Sequence, residues 1–192
     1  IESVGERVLI IGGGNTAMDC CRTSLRLGGK EVKVLYRGTR DRMKSSDWEL
    51  EPALEEDVEL VLNHSPEEYI VEEGKLVGMK FAVLEWKKDT NGKLKSTKTE
   101  EVIIPCDTVI LAIGQENSFP WVERDIGLDF DEWEVPLVDP ITYESTLSGV
   151  FFGGESAFGP KNIIEAVEHG HQAAISIHKY CHKESLTDRL PY

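Results

Sequence analysis

The ten residues Val8 to Ala17, Val-Leu-Ile-Ile-Gly-Gly-Gly-Asn-Thr-Ala, leave this chain few folds to choose from. Val8 to Ile11 is a short apolar run of the kind that forms a buried strand, and Asn15 to Leu27 has helical spacing without a proline. Gly12, Gly13 and Gly14 between them require a tight turn. Gly12, Gly14 and Ala17 give the pattern G-x-G-x-x-A, which a dinucleotide site needs for a separate reason at each position. The first glycine permits the turn, the second lets the backbone approach a pyrophosphate, and the small third residue lets the helix close onto the strand. The N–H groups and positive dipole end of that helix, at Asn15 and Thr16, would then face phosphate. A purely structural glycine turn is the alternative. Context favours the cofactor, because Val32 to Tyr36 reads as a second strand at the distance one βαβ unit needs.

The end of that second strand selects the dinucleotide. An NAD site usually places an Asp or Glu there, against the ribose 2′-hydroxyl; this chain has Arg37. Arg37, Arg40, Arg42 and Lys44 follow one another in a loop that holds a single acid, Asp41. Guanidinium groups hold a 2′-phosphate through paired, charge-assisted hydrogen bonds, so the sequence favours NADP(H). An ordinary solvated basic loop is the alternative, against which the cluster runs counter to the trend of the chain, whose net charge is −14. That charge argues against nucleic acid or an anionic membrane surface as a partner.

The 192 residues suffice for one large α/β domain or two small ones. No stretch is apolar enough for a membrane span, and the reading is a cytoplasmic protein. The chain starts at Ile1 with the fold signal close behind, as expected of a segment excised from something longer. Cys20, Cys21, Cys106 and Cys181 form no C-x-x-C and match no zinc or iron–sulfur spacing; they read as small buried hydrophobes in a reducing compartment.

Beyond the basic loop, Ser46 and Glu49 have the spacing of a capping box, opening a helix over Asp47 to Glu56 with Trp48, Leu50 and Leu54 as its apolar edge. Its glutamates, Glu49, Glu51, Glu55 and Glu56, are spaced as a solvated face. Val58 to Leu62 completes βαβαβ. From about residue 67 to 104 the pattern becomes an antiparallel meander: strands at Tyr69 to Glu72, Leu76 to Trp86 and Leu94 to Ile104, turns at Glu73-Gly74 and Asp89 to Gly92, and a mobile polar loop from Lys87 to Lys98. Cys106 to Ile113 reads as the next buried parallel strand, ending at Gly114. Gln115 to Thr146 is irregular, with short strand candidates near Leu137 and Tyr143. Gly149 to Gly153 reads as a further buried strand, followed by a loop at Gly154 to Ser156 and a long helix from Asn162 to Cys181. That helix carries Ile163, Ile164, Val167, Ala174 and Ile177 as apolar positions, with His169 and His171 assigned to its surface.

Three motifs in order, Ile11 to Asp19, Ile110 to Gly114, and Gly149 to Glu155 with Gly159-Pro160 and Glu165-Ala166, resemble the NADPH-binding half of the glutamate synthase small-subunit family. Dihydropyrimidine dehydrogenase contains a similar module. The resemblance covers nearly the whole chain. It implies a two-dinucleotide-domain flavoprotein in which NADPH reduces FAD and electrons leave through iron–sulfur clusters. The fold implied is α/β, a Rossmann-like parallel sheet with an inserted meander. Residues 1–114 would form the NADP(H)-binding domain, and residues 115–192 would complete an FAD-binding domain.

Carried onto this sequence, the resemblance assigns Gly12, Gly13, Gly14, Asn15, Thr16 and Ala17 to the NADPH pyrophosphate turn. It gives Arg37 with Arg42 or Lys44 to the 2′-phosphate, and Gly114 to the nicotinamide side. Gly154, Glu155, Asn162, Ile163 and Ile164 would belong to FAD. Position 155 is Glu where the family has Asp, and the family's first FAD-binding glycine turn has no counterpart in these residues. The partners implied are an FAD-binding N-terminal half and an iron–sulfur or amidotransferase-type protein, and the chain by itself is expected to be inactive. The rival reading is a non-catalytic nucleotide-binding or subunit-docking module.

Overall fold

In the computed structural model, residues 1–159 and 162–189 are described. The chain forms two compact units, Ile1–Gly114 and Gln115–Tyr192. The first begins with β1 (Arg7–Ile11), α1 (Asn15–Arg26) and β2 (Glu31–Tyr36), then a 3-10 turn at Arg40–Arg42, α2 (Asp47–Glu55) and β3 (Glu59–Leu62). Three antiparallel strands follow, β4 (His64–Glu72), β5 (Lys75–Lys88) and β6 (Leu94–Pro105), and the unit closes with β7 (Thr108–Leu111). The parallel sheet has the order β3-β2-β1-β7, and the meander has the order β4-β5-β6.

The unbroken apolar run of β1 is explained by burial on both faces, as parallel strands require. Val8 and Ile10 pack with Ala17, Met18 and Cys21 of α1 and with Leu50 and Ala53 of α2. Leu9 and Ile11, pointing the other way, pack with Leu35 and with Met79, Phe81 and Cys106. The meander therefore covers the face that further helices cover in a doubly wound sheet, and Phe81, wholly buried, is its main plug.

Several local expectations are corrected. The meander starts at His64, straight after β3, because Asn63 turns the chain with φ 61°. The segment from Lys87 to Lys98 is largely paired strand, with Lys87 opposite Lys95 and Lys88 opposite Leu94. Only the tip between the strands is loop, tied by the Asp89 carboxylate to the N–H groups of Asn91 and Lys93, each at 2.9 Å. Ser46 sits at the start of α2 without forming the capping box. Its N–H and hydroxyl donate instead to Asn15 Oδ1, at 2.9 and 3.4 Å. The buried edge of α2 is Leu50 and Ala53, whereas Trp48 and Leu54 are exposed. Glu56 is not simply solvated: the Arg26 and Arg22 guanidinium groups hydrogen-bond to it and hold its carboxyl down to about 2. In β7 and beyond, Leu111 and Ile113 are exposed rather than buried.

The second unit has little regular structure before α3 (Glu155–Phe158) and α4 (Ile163–His182). The strands expected near Leu137, at Tyr143 and over Gly149 to Gly153 reduce to the isolated bridges Phe130–Pro136, Val138–Ser145 and Glu144–Phe151. The loop expected at Gly154 to Ser156 runs into the single helical turn of α3. Asn162 caps α4 with a true capping box, accepting from Glu165 N at 2.9 Å. The buried residues of α4 are Gln172 and Ser176; Ile163, Ile164, Val167, Ala174 and Ile177 are exposed. Cys181 is exposed as well, and all the cysteines are free. No helix of the described residues is long and apolar enough to cross a membrane.

Candidate dinucleotide site

The turn from β1 into α1 shows what each glycine does. At Gly12, with φ 150°, a Cβ would lie 2.2 Å from the Ala112 carbonyl oxygen. At Gly13 it would lie 2.6 Å from the Tyr36 ring. Those two glycines make room for neighbouring protein. Gly14 differs: a Cβ there would meet nothing within 4 Å. Its backbone is extended, with φ −106° and ψ 179°, which any residue can adopt. The fold does not need a glycine at this position, so the space in front of it is available to a ligand. Ala17 is wholly buried against the sheet.

The N–H groups at this turn are also available. Gly12 N donates to Leu35 O at 3.0 Å, and Ala17 N and Met18 N return to Gly14 O. Among the described residues the N–H groups of Gly13, Gly14, Asn15 and Thr16 have no acceptor. No acid occupies the first turn of α1, so its positive end is uncompensated. This is the donor set an anion requires.

The basic loop is fastened to the same turn. Lys44 N and Ser45 N both donate to Gly13 O, at 2.9 and 3.0 Å, and Asn15 Oδ1 holds the backbone at Ser46. Ser45 keeps a buried hydroxyl with no hydrogen-bond partner. The structure thus fastens the backbone at Lys44 to the glycine turn, whereas Arg37 and Arg42 of the same loop are held by Trp86 and Tyr36. Arg40 is committed elsewhere, to Asp47 at 2.6 Å. Among the described residues the side chains of Arg37 and Lys44 have no carboxylate partner. Free N–H groups, an open Gly14 and unengaged cations fit the phosphates of a dinucleotide. Gly114 ends the unit beyond β7 with φ 93° and open space around it.

The other assigned residues lie in the second unit. Gly154, with φ 63°, donates its N–H to His169 Nδ1 at 3.0 Å. Its carbonyl accepts from Ala157 N and Phe158 N, at 3.3 and 3.1 Å. Glu155 is exposed, and the Asn162 side chain is engaged as a cap. Ile163 and Ile164 are 83% and 81% exposed. Pro160, of the Gly159-Pro160 pair, lies outside the described residues.

Three roles are not legible in the sequence. The helical pattern puts His169 on the surface, yet its ring packs on Phe158, centroids 4.6 Å apart, and on Tyr143 at 5.3 Å. Tyr36 separates Gly13 from Gly38 and donates its hydroxyl to Arg42 O at 2.8 Å. Trp86 of β5 contacts the basic loop; a tryptophan between Glu85 and Lys87 on an otherwise polar strand end is the one sequence signal that could have marked it. Burial lifts the Cys21 thiol to about 11 and raises those of Cys20 and Cys106, so these thiols are poor thiolates. Among the described residues, no group of His, Cys, Asp or Glu side chains is arranged to hold a metal ion.

Comparison with known proteins identifies the family and the fold. The family described as "Pyridine nucleotide-disulphide oxidoreductase" matches residues 1–171. The chain is 34% identical over 179 residues to the NADP(+)-dependent formate dehydrogenase subunit beta of Moorella thermoacetica, covering 92% of this chain and 25% of that one. It is 33% identical over 183 residues to the glutamate synthase [NADPH] small chain of Halomonas elongata, covering 92% and 38%. The chain therefore spans well under half the length of these relatives. Among solved structures, T. acidophilum thioredoxin reductase superposes with a TM-score of 0.74 at 22% identity, covering 94% of this chain and 54% of that one. At that identity the likeness is one of fold.

Proposed function

Because the chain belongs to the pyridine nucleotide-disulphide oxidoreductase family, we propose that it is the NADP(H)-binding portion of a flavin-dependent oxidoreductase of the glutamate synthase small-subunit type. The observation that carries this reading is the open space at Gly14 beside free N–H groups and the unengaged cations Arg37 and Lys44. In this reading residues 1–114 bind NADP(H), and residues 115–192 complete an FAD-binding domain. When bound, the two cofactors supply the redox chemistry, hydride passing from nicotinamide C4 to flavin N5.

The chain's own contribution is position and charge. Gly14, Asn15 and Thr16 offer N–H donors to the pyrophosphate, Gly12 and Ala17 hold the turn against the sheet, and Arg37, Arg42 and Lys44 meet the 2′-phosphate. Gly114 leaves the backbone open towards the nicotinamide side. On the flavin side the Gly154 turn and Glu155 would meet the ribityl chain, and Asn162, Ile163 and Ile164 would bring the positive end of α4 to the ring, where it would favour the negative charge of reduced flavin. No side chain is required as acid or base. The exposed isoleucines and valine of α4 support a partner surface in the complete protein, since such a face is normally covered. The names "subunit beta" and "small chain" of the relatives support partner subunits too, here an FAD-binding half with an iron–sulfur or amidotransferase-type protein.

Calorimetric titration of the chain with NADPH and NADH tests the cofactor assignment. NADPH is expected to bind more tightly by about 1.5 to 3 kcal/mol, the worth of two charge-assisted contacts, and Arg37→Ala to remove a large part of that difference. Equal affinities in the wild-type chain would overturn the assignment.

A further inference from the structure

Resting on the reading that the Arg37 to Lys44 loop receives a 2′-phosphate, we propose that Trp86 is a positioning residue that sets the preference for NADP(H) by holding Arg42 ready for that phosphate. Trp86 lies near the end of β5, in the meander rather than in the nucleotide-binding strands and helices. Its ring lies under the Arg42 guanidinium, whose central carbon is 4.1 Å from the ring centroid. Its indole N–H donates to Arg37 O at 3.3 Å. From the other side the Tyr36 hydroxyl donates to Arg42 O at 2.8 Å. The loop is thus gripped at Arg37 and at Arg42 by aromatic side chains from the two sheets.

The mode of contact fits the task. Stacking uses the face of a guanidinium and leaves its N–H edges free for a planar pair of oxygens. Among the described residues Arg42 forms no ion pair within 4.0 Å and meets only the field of the neighbouring Asp41 carboxylate, unlike Arg40, which Asp47 engages at 2.6 Å. An arginine already fixed on a ring loses less side-chain freedom on meeting phosphate than one that samples solvent. The core does not call for Trp86: it belongs to neither buried cluster, its strand neighbours are Glu85 and Lys87, and it pairs with Ser96. What its ring does contact is the loop.

The test measures the ratio of NADH to NADPH dissociation constants for the chain and its variants. Trp86→Leu and Trp86→Thr, both compatible with a strand, remove the ring face, and using two keeps the test decisive if either fails to fold. Each is expected to weaken NADPH about three- to tenfold while leaving NADH within about twofold. Trp86→Phe retains a face and is expected to keep the ratio within about twofold of wild type. In an Arg42→Ala background the removal of Trp86 should change the ratio no further. An unchanged ratio in the folded leucine or threonine variant, parallel loss of NADH binding, or a full additional loss in the Arg42→Ala background would overturn the proposal. A wild-type chain with no preference would show that the underlying reading fails, before any variant is made.

Discussion

Gly14→Val is expected to cut NADPH binding by about a hundredfold or more, roughly 3 kcal/mol, while the chain stays folded. The backbone at Gly14, φ −106° and ψ 179°, is one that valine favours, and the added Cβ would meet nothing within 4 Å. The cost to the fold is the poorer start of α1, about 1 kcal/mol. The reduced freedom of the unfolded chain offsets part of that. The cost to binding is steric, since the branched side chain would fill the space a pyrophosphate needs in order to reach the N–H groups of Asn15 and Thr16. Titration beside a urea denaturation curve separates the two effects. A folded variant that binds normally would show the turn to be structural only.

Gly12→Ala should do the opposite, damaging the fold before it touches any ligand. Here φ is 150° and the new Cβ would stand 2.2 Å from Ala112 O and 2.8 Å from its carbon. That carbonyl belongs to the residue whose N–H bonds Ile11 O at 2.8 Å, so the clash cannot be relieved without parting the chain beyond β7 from β1. Strained φ and overpacking together suggest a loss of about 2 to 4 kcal/mol, readable as a lowered urea midpoint. A variant as stable as wild type would mean that the β1–β7 pairing is placed wrongly. Two glycines separated by one residue thus serve different ends, the first for protein and the second for ligand.

The contrast explains what sequence could and could not reveal. The glycine turn, the parallel strands and the meander were legible because each leaves a local mark: an apolar run, a G-x-G-x-x-A spacing, or a turn pair such as Glu73-Gly74 with both residues at positive φ. Ser46 and Glu49 carried the capping-box spacing, but Asn15, distant in sequence, takes the Ser46 N–H and hydroxyl. A local pattern states only which bonds are available, and a competitor brought in by the fold decides which form. Helix α4 shows the same limit for burial. Its isoleucine spacing marked an apolar face correctly, yet that face is exposed and the buried positions are Gln172 and Ser176. Periodicity identifies a face that favours cover and says nothing of what covers it. Trp86 and His169 escaped because their partners are distant in sequence, Trp86 meeting Arg37 and Arg42, and His169 meeting Gly154.

If the two motifs serve two different cofactors, the chain by itself takes up little flavin. A dinucleotide is held mainly by its pyrophosphate on a glycine turn and a helix N-terminus. These residues contain one such turn, Gly12 to Gly14, which the proposed reading gives to NADP(H) because the basic loop is fastened to Gly13. In the proposed reading the turn at Gly154, whose own N–H goes to His169, brings Glu155 to the ribityl chain and holds nothing for the adenosine half of FAD. Dialysis of the purified chain against equimolar NADPH and FAD, followed by desalting and an absorption spectrum, should therefore leave it colourless, with flavin retained far below one per chain. A yellow protein carrying stoichiometric FAD would contradict the account and reverse the assignment of the two motifs.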